Sequence, residues 1–314
     1  MVNTLRFAML PESPSRRRFL EAAAAIPLAA GAVVSASPQT PTPPVTGPMP
    51  KRAVLISMLP AGPFADRFAA AKAAGFEAVE MQTLTDAAEV EAARAASAST
   101  GVAIHSVMNM EHWRSPLSST DEAVVAKSVA GMETSLRNAK AWGAGVVLLV
   151  PAVVNPQTSY KDAWTRSQRV IKERLLPLAA ELKVVIAVEE VWNRFLLSPL
   201  EMARYVDELD SPWAKAYFDV GNVVLYGYPQ DWIRTLGPRI VRVHLKDFKM
   251  DRGKGTFAWK NIGEGDIDWP AVRQAFADIG YAGYVTTELE GGDAAYLADV
   301  SGRVSRWLST SRPV

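Results

Sequence analysis

Five apolar residues, Val184-Val185-Ile186-Ala187-Val188, run straight into Glu189, and the polar segment Glu190-Val191-Trp192-Asn193-Arg194 follows. A continuous apolar run rich in β-branched residues suits a strand buried on both faces, as in a parallel sheet. Glu189 then stands where the strand gives way to its loop. From Arg52 onward the same pattern recurs. Strands are expected at Ala53–Met58, Phe76–Met81, Val102–Val107, Val146–Val150, Val184–Glu189, Ala214–Asp219, Ile240–Leu245 and Gly283–Leu289. Helical patterns separate them, over 65–74, 87–99, 121–142, 161–182, 198–208, 230–236 and 269–279, and a last one covers 294–308. Thr120 is the expected N-cap of the long third helix, and Gly143 its terminator.

Strict strand–helix alternation calls for a parallel sheet, and eight such units suit a (β/α)8 TIM barrel, which takes about 250 residues. A doubly wound open sheet is the competing fold. The segment after the first strand, Leu59-Pro60-Ala61-Gly62-Pro63, is not GxGxxG, which lowers the dinucleotide-binding version of that fold.

The segments before Arg52 read differently. Arg16-Arg17-Arg18-Phe19-Leu20, an alanine-rich apolar run and Val34-Ser35-Ala36 make an export signal over 1–36, of the twin-arginine type. Its apolar run is short of the ~20 residues of a membrane span, so no stable membrane anchoring is expected after cleavage. A proline-rich linker covers 37–51, and the barrel domain is expected over 52–314. The expected location is periplasmic or extracellular. With no cysteine and three histidines in the chain, disulfides, thiolate sites and His-rich metal clusters are excluded. The net charge of +1 offers no general attraction to nucleic acid or to anionic membrane.

Four consecutive strands end on an ionisable residue: Glu189, Asp219 after Tyr217-Phe218, His244 after Val241-Arg242-Val243, and Glu288 after Val285-Thr286-Thr287. Charges on buried strands are costly unless paired or metal-bound. Three carboxylates and one imidazole form a mostly hard donor set, which favours one Mn2+ or Mg2+ over a closed zinc site.

The motifs VEEVWNRFLLSP (188–199), YFDVGN (217–222), VHLKD (243–247), IGEGDIDW (262–269) and TTELEGGD (286–293) resemble the xylose isomerase-like sugar isomerases and epimerases, the superfamily that includes the tagatose and psicose 3-epimerases. The resemblance covers about Arg52 to Leu308. It implies metal ligation by Glu189, Asp219, His244 and Glu288, with Glu189 and Glu288 as the paired catalytic acid and base. The implied activity is proton transfer through an enediolate on a small sugar. Barrels of this family are often dimers or tetramers, so a homo-oligomer is compatible with it. Three departures stand out. Asn222 lies where many members have a substrate-binding histidine. Glu190 follows Glu189 where many have asparagine, adding a negative charge beside the metal, and a slip of one residue would make Glu190 the ligand. Leu196 and Leu197 occur where the 3-epimerases place a sugar-holding glutamate.

Other residues carry two readings each. His105 in the third strand contacts substrate or is a hydrogen-bonded histidine near the barrel mouth. Trp113, in the Glu111–Leu117 loop, stacks on a sugar ring or packs its loop. Glu80, ending the second strand, binds substrate or forms a rim salt bridge. Arg194 meets an anionic substrate group or a structural partner. Lys246, Lys249 and Arg252 read as solvated loop residues, and Gly263-Glu264-Gly265 as a tight turn. The expected function is a metal-dependent sugar isomerase or epimerase. A lyase acting on keto-sugars or keto-glycosides by the same deprotonation is the alternative, and a non-catalytic extracytoplasmic sugar-binding module is a third.

Overall fold

The computed structural model describes residues 49–251 and 253–309. The expected export signal, and all of the expected linker but its last three residues, lie outside them. The barrel strands are β1 (Lys51–Leu55), β2 (Ala78–Gln82), β3 (Ala103–Met108), β4 (Val146–Leu149), β5 (Val185–Glu189), β6 (Ala214–Asp219), β7 (Ile240–Leu245) and β10 (Tyr284–Thr287). They close in the order β1-β10-β7-β6-β5-β4-β3-β2, and every barrel pairing is parallel. The helices are α1 (Phe64–Ala73), α2 (Ala87–Thr100), α3 (Glu122–Trp142), α4 (Tyr160–Val170), α5 (Leu176–Leu182), α6 (Pro199–Glu208), α7 (Pro229–Leu236), α8 (Trp269–Asp278) and α9 (Ala294–Ser309). This is a (β/α)8 TIM barrel.

Side chains alternate across each strand, and the two cores show it. Val147, Leu149, Ile186 and Val188 pack outward in the large core against the helices. Val146, Leu148, Ala187 and Tyr217 point inward, into a smaller cluster inside the barrel. Period two then places Glu189 with Ala187 and Asp219 with Tyr217, on the inner face at the carboxyl ends of their strands.

Local chemistry sets the helix ends. Asp86, Asp121, Ser159, Ser198 and Asp268 each accept a first-turn amide. The cap of α3 is therefore Asp121, one residue beyond the expected Thr120, because the carboxylate reaches the Ala123 amide. Gly101 and Gly143 close α2 and α3 in the left-handed conformation. The helix expected over 161–182 is interrupted by a π turn at Ile171–Leu175. Pro177, at the start of α5, cannot donate to the preceding turn and crowds its carbonyls.

The long loop expected after β7 is instead an antiparallel hairpin, β8 (Asp247–Asp251) and β9 (Thr256–Lys260), pairing Phe248 with Trp259 and Met250 with Phe257. Buried Asp247 anchors the segment beyond it. Its carboxylate accepts the Gly263 amide at 2.9 Å, the Gly265 amide at 3.0 Å and the Trp269 indole N–H at 2.8 Å. A Cβ on Gly265 would come within 2.0 Å of that carboxylate, so the glycine there is a steric requirement. No helix among the described residues is long and apolar enough to cross a membrane.

Candidate active site

Four strands adjacent in the barrel, β5, β6, β7 and β10, deliver the site. Glu189 and Asp219 end β5 and β6, His244 is the fifth residue of β7, and Glu288 follows β10 with its amide on the Leu245 carbonyl. One ligand atom from each lies within 4.8 Å of all the others. His244 Nδ1 stands 2.8 Å from Glu189 Oε1, 3.4 Å from Glu288 Oε2 and 3.9 Å from Asp219 Oδ2. That spread is close to twice a roughly 2.1 Å metal–oxygen bond, and the donors are mostly hard oxygens, so the residues fit one Mn2+ or Mg2+.

The environments of the two glutamates differ. Burial pushes Glu189 up to about 7, against the pull of His244. Burial would also raise Glu288, but the Lys246 ammonium and His244 outweigh it and hold that carboxyl well below its usual range. Burial raises Asp219 as well. Burial opposes the charged form of His244, yet Glu288, Glu80 and Glu189 together raise it well above the ordinary imidazole value.

Lys246 is the functional residue that sequence reasoning missed. It is buried, with Nζ 2.6 Å from Asp219 Oδ2 and also bonded to Glu288. The signal was period two: two residues beyond His244, Lys246 continues the inward face of β7. His112, read only as part of its loop, also lines the cavity that holds Glu189. Its Nδ1 accepts the Val150 amide at 3.4 Å, which places the ring proton on Nε2. Burial lowers it to about 4, so it is neutral.

The other expected residues divide. Asn222 and Trp113 line the same cavity as Glu189. Asn222 donates from Nδ2 to the Glu190 carbonyl at 3.0 Å, and its amide reaches Asp219 Oδ1 at 2.8 Å. Glu80, His105 and Arg194 are not brought to the cavity. Glu80 is fully buried beneath His244, accepting His244 Nε2 at 3.0 Å and the Tyr217 hydroxyl. His105 points to the amino-terminal side of the barrel, stacked on Tyr284 and bonded to Arg242 and Thr286. The cause is a bulge: Val79 pairs with Ile104 and Glu80 with Ser106, so His105 is an extra residue in β3. Arg194 is exposed, at a left-handed position (φ 65°) in the loop that Asn193 pins to the Ala152 carbonyl.

Glu190 is not among the four converging side chains. It turns away from the cluster, accepts the Asp219 amide at 2.9 Å, and is held well above the ordinary carboxyl range, first by burial and then by its acidic neighbours.

A family model described as xylose isomerase-like TIM barrel matches residues 68–309. The L-ribulose-5-phosphate 3-epimerase UlaE of Salmonella paratyphi A is 29% identical over 262 residues, 80% of this chain and 90% of that one. The putative L-ribulose-5-phosphate 3-epimerase SgbU of Escherichia coli K12 is 30% identical over 240 residues, covering 71% and 82%. The crystal structure of a D-allulose 3-epimerase from Methylomonas sp., in complex with D-allulose, superposes with a TM-score of 0.67 at 18% identity, over 84% of this chain and 98% of that one.

Proposed function

The chain belongs to the xylose isomerase-like TIM-barrel family, and on that footing we propose that it is a divalent-metal-dependent sugar isomerase or epimerase. The observation that carries this reading is the convergence of Glu189, Asp219, His244 and Glu288 at one barrel mouth. These four would hold Mn2+ or Mg2+, and such an ion supplies Lewis acidity for an enediolate-like intermediate when bound. The curated relatives above are, by their names, sugar 3-epimerases, which supports the same chemistry.

The protein's own groups supply the proton transfers. One of Glu189 and Glu288 takes the proton from the carbon beside the carbonyl, and the other returns one to the same or the neighbouring carbon. His112 and Asn222 border the sugar and orient its hydroxyls. Trp113, Trp192 and Trp259 wall the cavity and limit water at the reacting carbon. Asp219 completes the ligand set, with its backbone position fixed by Glu190. The proposal includes an export signal over 1–36 ahead of a barrel domain from Arg52, and with it a reaction outside the cytoplasm on a free sugar.

The test is wash-in of deuterium from D2O into a panel of ketoses with the Mn2+-loaded protein. Exchange without release of a fragment identifies an isomerase or epimerase; release identifies the lyase. Absence of exchange across the panel would overturn the catalytic reading in favour of a binding module. Glu189→Gln and Glu288→Gln should each lower turnover by about 10²-fold or more, the usual contribution of a positioned acid or base.

A further inference from the structure

Two chambers meet at the carboxyl end of the barrel. The inner one, about 210 Å³, contains Glu189, His112, Trp113 and Asn222. The outer one, about 610 Å³, contains Asn261, Glu264, Glu290 and Tyr296. Lys246, Trp259 and Glu288 line both, so the two chambers adjoin at Glu288, one of the proposed acid/base pair. The partition is tightly packed. Lys246 sits 5.0 Å from the Trp259 ring centre, and a Cβ on Gly221 would lie 2.5 Å from Lys246 Cγ and 3.3 Å from the Trp259 ring.

The inner chamber is smaller than the roughly 300–1,000 Å³ usual for a ligand site, and the outer one falls within that range. The outer chamber also has the chemistry that recognises a sugar ring. Trp259 and Tyr296 line it with aromatic rings, and the Tyr296 hydroxyl donates to Asn261 Oδ1 at 2.9 Å, which leaves the Asn261 amide N–H groups to donate outward. Glu290 has no ion-pair partner among the described residues, and Glu264 is paired with Arg303 at 2.8 Å. No arginine is among the residues lining either chamber. A phosphate ester would meet Glu264, Glu288 and Glu290; among the described residues lining the outer chamber, Lys246 is already bound to carboxylates and Lys260 is the remaining cation, where forked donors would be expected for phosphate.

We propose that the outer chamber is a second sugar subsite, and that the substrate is an uncharged two-ring ketose glycoside rather than a phosphorylated ketose. The reacting ring occupies the inner chamber, and the second ring rests on Trp259 and Tyr296 with its hydroxyls on Asn261 and Glu290. The proposal rests on the sugar-isomerase reading for which ring reacts. It differs from the activity in the curated relatives' names, which carries a phosphate.

The experiment measures binding by calorimetry to the Mn2+-loaded protein, using fructose, fructose 6-phosphate and three fructose-containing disaccharides linked through O1, O4 and O6 (trehalulose, lactulose and isomaltulose). At least one disaccharide should bind about tenfold tighter than fructose, the worth of one or two added hydrogen bonds, and fructose 6-phosphate should bind no tighter than fructose. Asn261→Ala and, separately, Tyr296→Phe should each cut the disaccharide-to-fructose ratio to about twofold or less. The Phe variant keeps the ring that packs against Gly292. A phosphate ester preferred to the disaccharides, no disaccharide advantage, or a ratio unchanged in both variants would each overturn the subsite. Deuterium wash-in on the same sugars separates the two claims. Exchange without a disaccharide advantage removes the subsite alone, and a disaccharide advantage without exchange removes the isomerase alone.

Discussion

Glu189 and Glu190 are adjacent in the chain and face opposite ways. Strand alternation aims Glu189 into the barrel mouth, and Glu190 holds the Asp219 amide. The four converging strand-end residues could be read from sequence because each follows an apolar or β-branched run that suits a buried strand. Glu80 was not readable in the same way. The sequence places it at a strand end, whereas it is the third of the five residues of β2 and fully buried, and its oxygen fixes His244 Nε2 so that Nδ1 faces the carboxylate cluster. Groups that orient a ligand imidazole typically change metal affinity by 10–100-fold. Glu80→Gln should therefore weaken Mn2+ binding by about that factor in calorimetry with the fold intact; unchanged affinity would show that Tyr217 and packing alone orient the ring. His112 supplies a pH test. Burial lowers its pKa to about 4, whereas the unfolded chain titrates near 6.5. Above about 6.5 the ring is neutral in both states and costs nothing. As pH falls from about 6.5 toward 4 the unfolded chain binds a proton that the fold refuses, so stability drops by up to about 1.4 kcal/mol per unit. Urea unfolding at pH 7 and pH 5 should show His112→Asn losing about 2 kcal/mol less than the parent over that interval, and equal losses would contradict it.

Among the elements, the β8–β9 hairpin was hidden by its composition. Lys246, Lys249 and Arg252 made the segment read as a solvated loop. The period-two pattern was nevertheless there, with Phe248 and Met250 facing Trp259 and Phe257 across the ladder. The bulges in β3 and β7 had no sequence signal at all, since one extra residue in a buried strand leaves the apolar pattern almost unchanged. Both matter to the site. Opposite them, Glu80 and Tyr217 meet beneath His244. The hairpin is tied to the outer chamber through Asp247, whose carboxylate gathers the Phe248, Gly263, Gly265 and Ile267 amides and the Trp269 indole. Removing one acceptor that serves several buried donors leaves them unsatisfied at about 1–3 kcal/mol each. Asp247→Ala should cost at least about 3 kcal/mol in urea unfolding and weaken sugar binding at Asn261, which lies on the anchored segment. A loss below about 1 kcal/mol would mean that water replaces the carboxylate without consequence.

For the whole molecule, the eight strand–helix units counted from sequence pointed to a closed barrel; an open parallel sheet needs the same apolar runs, and the pairing of β1 with β10 is what excludes it. Closure is what makes the site. The strands that carry the four converging residues, β10, β7, β6 and β5, are consecutive neighbours in the barrel, although the chain passes through α6, α7, α8 and the hairpin between them. An ion bound there bridges half the barrel circumference and has no equivalent site in the unfolded chain. Its binding energy is then folding energy: about 2.7 kcal/mol at a metal concentration a hundred times Kd. For a domain of this size that corresponds to a rise in Tm of roughly 5–10 °C. Mn2+ should therefore raise Tm by that amount, with a chelator reversing the shift. Glu189→Gln and Glu288→Gln should each remove most of the rise, whereas Arg194→Gln, at an exposed position outside the cavity, should keep it. A melting temperature indifferent to Mn2+ would mean that the four side chains meet without holding an ion, and the proposed chemistry would lose its electrophile.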